Sequence, residues 1–498
     1  MGKSVLFLVI NTFLLLLSIG GIAQFSNLSQ LAQGDLVAFA PIREIDDAIF
    51  GYVAIYDLGE VDKDKENYEY VILDNNLNEV SNGKFHDQRY RKVLSRFLSP
   101  SLLGQKLLLS KTFLGQFGNN KAFVSNRFID LETNTVETPF YLKGDKIVEG
   151  ERDAKGLGKE QRKTPIIDVL IPSEKGFMTY PIDKLGRSNS KTVSSIKFYN
   201  LDKELVWEYD YNPNNLQHTK AIVYVDADYL LLSFKSAGYN DTGFYLKRID
   251  LKTGKEDFVY KIETKSSEYN HSFTAKIIDG RTHLLGKISK YSSGGYDYKK
   301  AEGFFSLVLD DKGNELTKKY LFWKDMVDHL DIDDKGKVEN RYRLHAKEYF
   351  IMDNGSMAIL TEKLKESYNV LLGISKVKTT DLVLFQFDED FKIGQVLEIN
   401  KDKSKWQASD YLYSQYINQN NDLVFFYRDY KKDIATSDKN WIMGIVTIVD
   451  GKINHETISI SSEDHFIYPY IAKEGYVLFR EYNKDADYDE IRLEQINY

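Results

Sequence analysis

The sequence predicts an all-β fold assembled from repeated four-stranded units, and three observations carry that expectation. Apolar and polar residues alternate with period two over much of the chain, the pattern that buries one face of a strand. Tyr and Phe number 34 and 29 while Pro is held to 8, which suits pleated surfaces where rings pack well and Pro would break a ladder. One hairpin pattern also recurs: in FFSLVLDDKGNELTKKYLF, residues 304–322, the chain alternates, breaks at Asp-Asp-Lys-Gly-Asn and alternates again.

In chain order, the first element is MGKSVLFLVINTFLLLLSIGGIAQ, with Lys3, an apolar run over 5–19 and the small residues Gly21 and Ala23. This is the layout of a secretory signal peptide cut after Ala23. An uncleaved membrane anchor is the alternative, because the run approaches the length of a span; the polar Asn11 and Thr12 inside it favour cleavage. Residues 24–498 then form one domain, expected to be exported to the bacterial periplasm or secreted, without a later membrane span. The formal net charge is −8, and loss of Lys3 leaves it one unit more negative, so nucleic acid and anionic lipid are repelled. The chain has no Cys. Disulfides, thiol catalysis and a lipid-modified cysteine are thereby excluded, and the fold must rest on its hydrophobic core.

Hairpins of the same design occupy residues 68–85, 122–142, 195–211, 243–262, 304–322, 381–399 and 441–460. In each, Asp or Asn near the end of the first strand is placed to bond the turn backbone, and Gly254, Gly313 and Gly451 can supply positive φ. Two more apolar runs precede each hairpin, as in HSFTAKIIDGRTHLLGKISKY over 271–291. A two-stranded ribbon has no core of its own, so the unit is four strands, recurring roughly every 50 to 75 residues.

Such repeats resemble a β-propeller of about seven to eight four-stranded blades. The last unit, 465–498, stops after a third strand, and an N-terminal strand is expected to close the ring, with LVAFAP at 36–41 as the candidate. The Trp-Asp signature, the kelch glycine pair and the sialidase turn are not in the sequence. The chain is most similar to uncharacterised exported β-propeller-like proteins, a resemblance of fold that implies no activity. Stacked β-sandwich domains are the alternative, but their Pro- or Ser-rich linkers are missing. Two charged insertions interrupt the pattern: one near 143–165, read as an exposed inter-blade loop, and one near 322–341, which begins as a short helix.

Metal and catalytic motifs are weak. Asp331, Asp333 and Gly336 open like a calcium loop, but Lys335 and Tyr342 hold its fifth and twelfth positions, so a charged turn is expected. Asp485, Asp487 and Asp489 alternate and offer at most weak calcium binding. The eight histidines lack metal-ligand spacing, and no Gly-x-Ser-x-Gly elbow is present; no cofactor or metal is expected.

The stronger signal lies in loops between second and third strands, which carry Tyr239 and Asp241, Tyr296 and Asp297, Tyr427 and Asp429, and Asp487 and Tyr488. In a propeller these loops share one face with the blade-to-blade connections. Aromatic faces beside carboxylates suit sugars or peptide segments, although Gly-Tyr-Asp is also ordinary turn chemistry in a Tyr-rich chain. The expectation is a monomeric, non-enzymatic binder of a glycan or protein ligand on that face. The alternative is a glycan hydrolase or lyase using carboxylates from different blades.

Overall fold

The computed structural model describes residues 25–496 except 46, 91–92, 116–120, 144–145, 153–169, 180–194, 211–217, 238–241, 263–268, 291–300, 370–373, 406–408, 418–421, 433–438, 450–451, 461–465 and 484–487. The expected signal segment lies outside the described residues, as do much of the 143–165 insertion and Gly451. Among the described residues no helix is long and apolar enough to cross a membrane.

Eight antiparallel meanders follow one another along the described chain. The fifth shows the plan: Tyr269–Ile278, Arg281–Lys290, Ala301–Leu309 and Glu315–Phe322 pair in sequence order. The first and second meanders join into one larger sheet through a single parallel pair, Arg43 with Ser101, between their first strands. Residues 304–322 and the other six hairpins are the third and fourth strands of successive units. The second unit is irregular on its outer side, where Thr135–Val136 and Phe140–Lys143 replace one continuous strand.

The recurring turn has one physical design. Asp310 accepts from the Lys312 and Asn314 amides at 2.9 and 2.7 Å, Asp74 from Asn76 and Asn78 at 2.8 Å each, and Asn200 from Asp202 and Glu204 at 3.0 and 2.9 Å. The fourth turn position is left-handed: φ is 80° at Gly313 and 64°, 66° and 59° at Leu77, Lys203 and Phe391. Glycine is therefore not required there. The side-chain cap and the ladder on both sides hold even non-glycine residues in this strained region.

Burial differs by strand position. Middle strands such as Ala301–Leu309 are buried on both faces, whereas outer strands such as Lys452–Ser459 alternate with exposed polar residues. The units are thus apolar on two faces and pack side by side. Eight apolar clusters each bridge two neighbouring units. One joins Phe304 to Phe385, and another joins Tyr52 and Leu73 of the first unit to Leu478 and Leu493 of the last. The chain is a closed β-propeller.

Closure differs from the expectation in which strand performs it. Phe25–Asn27 pairs antiparallel with Tyr488–Gln495 as the outer strand of the last unit. Residues 36–41 instead belong to Asp35–Arg43, the first strand of the first unit, paired with Ile49–Asp62. Three residues carry no readable period, so the longer alternating run drew the assignment. The short helix Leu28–Leu31 follows, capped by Asn27 on the Ser29 amide. It buries Leu28 completely, and the Tyr56 hydroxyl donates to the Leu28 carbonyl at 2.5 Å.

The 322–341 insertion starts as the 3-10 turn Trp323–Asp325 and folds back onto the core, with Met326, Ile332 and Val338 packed in the cluster between the fifth and sixth units. Asp333 accepts from the Lys335 and Lys337 amides at 2.9 and 2.7 Å, so its carboxylate caps a turn. Asp489 pairs with Arg480 through two contacts of 2.8 and 2.6 Å.

Two changes test the closure. Leu28→Ala should lower unfolding free energy by about 2–5 kcal/mol, the range for a fully buried leucine, read in urea titrations. Deleting residues 25–27 leaves the Tyr488–Gln495 edge unpaired and should produce self-association in light scattering; a monodisperse truncation of unchanged stability would place the closure elsewhere.

Candidate functional site

The first strands of the units face the axis of the ring, where two adjoining cavities of about 900 and 970 Å³ share Glu44, Asp47, Tyr349 and Tyr416 in their walls. Together they are lined by residues from all eight units, from Arg43 in the first to Lys473 in the last. The mouth is built from turns between first and second strands. In the first unit the turn closes through Glu44 N to Ala48 O at 2.9 Å and Asp47 N to Glu44 O at 3.1 Å. Asp47 takes φ 67°, a left-handed conformation that Asp tolerates better than most residues.

Bulges aim the side chains of the wall. Register shifts fall between Ile222 and Tyr224, Ala346 and Glu348, and Tyr411 and Tyr413. An extra residue in a strand bends it and redirects its neighbours, and Tyr224, Glu348, Tyr411 and Tyr413 all line the cavities. The Tyr411 hydroxyl lies 3.0 Å from a Glu348 carboxylate oxygen and 3.1 Å from Ser414 Oγ. Tyr413 donates to the Tyr470 carbonyl at 2.9 Å. Gln415 donates through Nε2 to the Ala472 and Tyr476 carbonyls at 3.2 and 3.1 Å. Lys276 lies 2.6 Å from Asp353 and 5.0 Å from the centroid of the Tyr416 ring.

Burial pushes the Glu348 carboxyl above the usual carboxylate range, and the nearby Asp47 charge adds to the rise, against the opposing hydrogen bond from Tyr411. Burial likewise raises the Tyr416 hydroxyl to about 12, so it remains a neutral donor at physiological pH.

The residues singled out from sequence fare differently. Tyr239, Asp241, Tyr296, Asp297 and Asp487 lie outside the described residues, and of Tyr488 only the strand pairing with Asn483 is described. Tyr427 is corrected from a loop residue to a core residue. The seventh unit's second and third strands run on to Lys432 and Lys439, which keeps Tyr427 inside the ladder at 1 % exposure. Its ring lies over Gly444, where a Cβ would come within 2.2 Å, and its hydroxyl bonds His455 Nε2 at 2.7 Å. Asp429 is half-buried and accepts from the Asp402 and Tyr430 amides at 3.1 and 2.7 Å; burial raises its carboxyl. It adjoins a smaller cavity of about 510 Å³ lined by Tyr342, Asp381, Lys401 and Tyr430.

Glu339, Asp381 and Glu398 present carboxylate oxygens within 4.8 Å of one another. Lys363 Nζ lies 3.3 Å from Glu339 and 3.1 Å from Asp381 and also bonds Glu398. The tethered ammonium thus takes the place that a metal cation would need.

The axial residues went unread because they sit in first strands and the turns that follow them, not in loops between second and third strands. A usable signal was present: RLHAKEYFI and YLYSQYI, residues 343–351 and 411–417, place Glu, Lys, Gln and repeated Tyr where other strands are apolar.

A raised carboxyl favours folding at low pH, and that contribution is lost as pH rises through the folded-state value. Glu348→Gln should therefore match the parent in melting temperature below about pH 4 and exceed it increasingly toward pH 7. A gap that stays constant across this range would show that the Glu348 carboxyl is unperturbed.

Comparison with curated proteins finds no match. Among solved structures, a study of two prolyl endopeptidases matches with TM-score 0.39 and 13% identity over 92% of this chain, which spans 56% of that one. The β-propeller domain of the trilobed protease from Pyrococcus furiosus matches with TM-score 0.35 and 10% identity, over 82% of this chain and 97% of that one. An ulvan lyase of polysaccharide lyase family PL25 matches with TM-score 0.34 and 8% identity, over 78% and 90%. Residues 1–497 match one family throughout, so the chain belongs to the family of unknown function DUF6770.

Proposed function

We propose that this protein is an exported ring that binds a polar ligand with apolar faces, a glycan or a peptide segment, in its axial cavity. The observation that carries this reading is the cavity wall itself, where Tyr224, Tyr349, Tyr411 and Tyr416 stand beside Glu44, Asp47 and Glu348. Rings provide flat apolar contact and the carboxylates accept hydrogen bonds, the combination that recognises hydroxyl- or amide-rich molecules. Export rests on the N-terminal Lys3, apolar run and small-residue end.

A second reading is a glycan hydrolase or lyase, supported by Glu348. Its burial beside Tyr411 and the Asp47 charge favours a protonated carboxyl, the state that a general acid needs.

The test is a glycan and peptide array probed with the chain beginning at Gln24, with product analysis on every positive. Tyr416 is 44% exposed, so Tyr416→Ala should fold normally and weaken binding by about 1 kcal/mol, roughly fivefold in Kd. The pair Tyr239→Ala with Tyr296→Ala, and Lys312→Ala in an outer turn, should leave binding unchanged. Loss of binding in the Tyr239 and Tyr296 pair alone would move the site to the opposite, loop-bearing face. Product formation by the parent that disappears in Glu348→Gln, with binding retained, would establish the enzyme instead.

A further inference from the structure

We propose that the seam between the fourth and fifth units is an acid-sensitive hinge, opened at one face by protonation of His271 and held closed at the other by Arg248. This device is independent of what the axial cavity binds. His271 lies in the fifth unit's first strand, Tyr269–Ile278, and is 3% exposed. Its surroundings are apolar. Phe244 of the fourth unit lies 5.6 Å from its ring centroid, and Phe305 and Tyr320 of its own unit lie at 4.8 and 6.1 Å. Ile288 stands opposite it in the ladder. Nε2 is 3.3 Å from the Tyr320 hydroxyl, whereas Nδ1 is buried with no hydrogen-bond partner among the described residues. A neutral imidazole fits this box with one nitrogen bonded. An imidazolium carries two N–H donors, so protonation buries a charge and leaves the Nδ1 donor without an acceptor, which is unfavourable.

The neighbouring charges give no relief. Glu315–Phe322 brings Lys318 and Tyr320 to the imidazole, and Glu256–Ile262 brings Tyr260 into the same seam. Thr242–Asp250, Arg281–Lys290 and Ala301–Leu309 contribute Phe244, Ile288 and Phe305. The Glu315 carboxylate is engaged by the Tyr260 hydroxyl and lies 3.9 Å from Lys318. Burial, reinforced by the Lys318 charge, holds His271 down at about 4 against an ordinary value of 6.5. In an opened seam the imidazole regains that ordinary value. The closed state therefore binds fewer protons than the open one between these two values, and it loses stability as pH falls through them.

The other end of the seam is fastened by a group that stays charged throughout this range. Arg248 of the fourth unit is buried and donates through Nη1 to the Gly280 carbonyl at 3.2 Å and through Nη2 to the Asp311 carbonyl, both in turns of the fifth unit. These turns join first to second and third to fourth strands, so they lie at the face of the axial mouth. His271 stands near the start of a first strand, at the face that bears the loops between second and third strands. A clamp indifferent to pH at one end and a titrating box at the other make a hinge. Its opening uncovers Phe244, Ile262 and Phe305, which the closed seam buries.

The experiment uses the chain from Gln24 and thiol labelling. The chain has no Cys, so Ile262→Cys reports this seam alone, and Ile445→Cys, buried between the seventh and eighth units, reports a seam without such a box. Labelling by a dipyridyl disulfide, divided by the rate of free cysteine at the same pH, gives the opening equilibrium at each position. Opening at Ile262→Cys should rise roughly twentyfold between pH 7 and pH 5, the change set by the two imidazole values, while Ile445→Cys stays flat. Adding His271→Phe, which fills the box, or His271→Gln, which keeps a polar group, should abolish the rise because neither titrates; two replacements of different character keep the test intact if one disturbs folding. Arg248→Lys, which cannot reach both carbonyls, should raise labelling of Ile262→Cys at every pH. An equal rise at both positions, a flat response at Ile262→Cys, or a rise that survives both histidine replacements would overturn the switch, and unchanged labelling in Arg248→Lys would overturn the clamp and with it the hinge.

Discussion

A sheet that is apolar on both faces has no place to stop. Each unit here buries both faces of its middle strands, as in Lys439–Val449, where Met443 and Ile445 pack toward the eighth unit while Val446 and Ile448 pack toward the sixth. Any linear stack of such units would expose one apolar face at each end, at about 25 cal/mol per Å² of apolar area. Closing the ring removes both ends. The cluster that joins Tyr52, Ala54 and Leu73 to Leu478, Ile491 and Leu493 performs that closure, and Phe25–Asn27 fastens it by completing the last sheet with residues from the other end of the chain.

Closure then dictates what the inner wall must look like. First strands pair on one side only along most of their length, so carbonyls on their inner edges lack ladder partners and must be satisfied otherwise. Tyrosine does this well, since its ring fills space between units while its hydroxyl reaches a carbonyl. Tyr413 donates to Tyr470 O at 2.9 Å, and the Gln415 amide spans two carbonyls of the next unit. The abundance of Tyr therefore has a structural cause: the residues that finish the inner edges also furnish the aromatic wall of the cavity.

The sixth and seventh units are joined by buried charge as well as by their apolar cluster. The side chains of Glu362 and Lys401 have no exposed surface, and Lys401 lies 2.8 Å from Asp410 and 3.6 Å from Glu362. Lys347 lies 3.1 Å from Glu362, and the Asp410 amide donates to Glu362 at 3.1 Å. Such a network adds little net stability over apolar packing but makes the arrangement specific, because a slipped interface would leave buried charges without partners. Lys401 also lines the smaller cavity beside Asp429, and with Lys363 between three carboxylates the network makes this part of the molecule a set of internally paired ions.

Period-two alternation and the Asp- or Asn-capped turns are local properties, and they were sufficient by themselves to determine strands, hairpins, the four-stranded unit and the need for closure by an N-terminal strand. The residue types also marked 331–336 as a turn, because Lys335 and Tyr342 stand where a calcium loop needs its fifth and twelfth ligands. The tertiary structure alone decided which strand closes the ring, since Phe25–Asn27 is too short for any period and is defined only by its partner at Arg492. It alone decided that Tyr427 is core, since the strand continued past the point where polar residues resembled a loop. It alone brought Glu348, Tyr411, Tyr416 and Glu44 to one axis. Those positions depend on bulges and on the rotation from unit to unit, and neither leaves a mark in the spacing of residues along the chain.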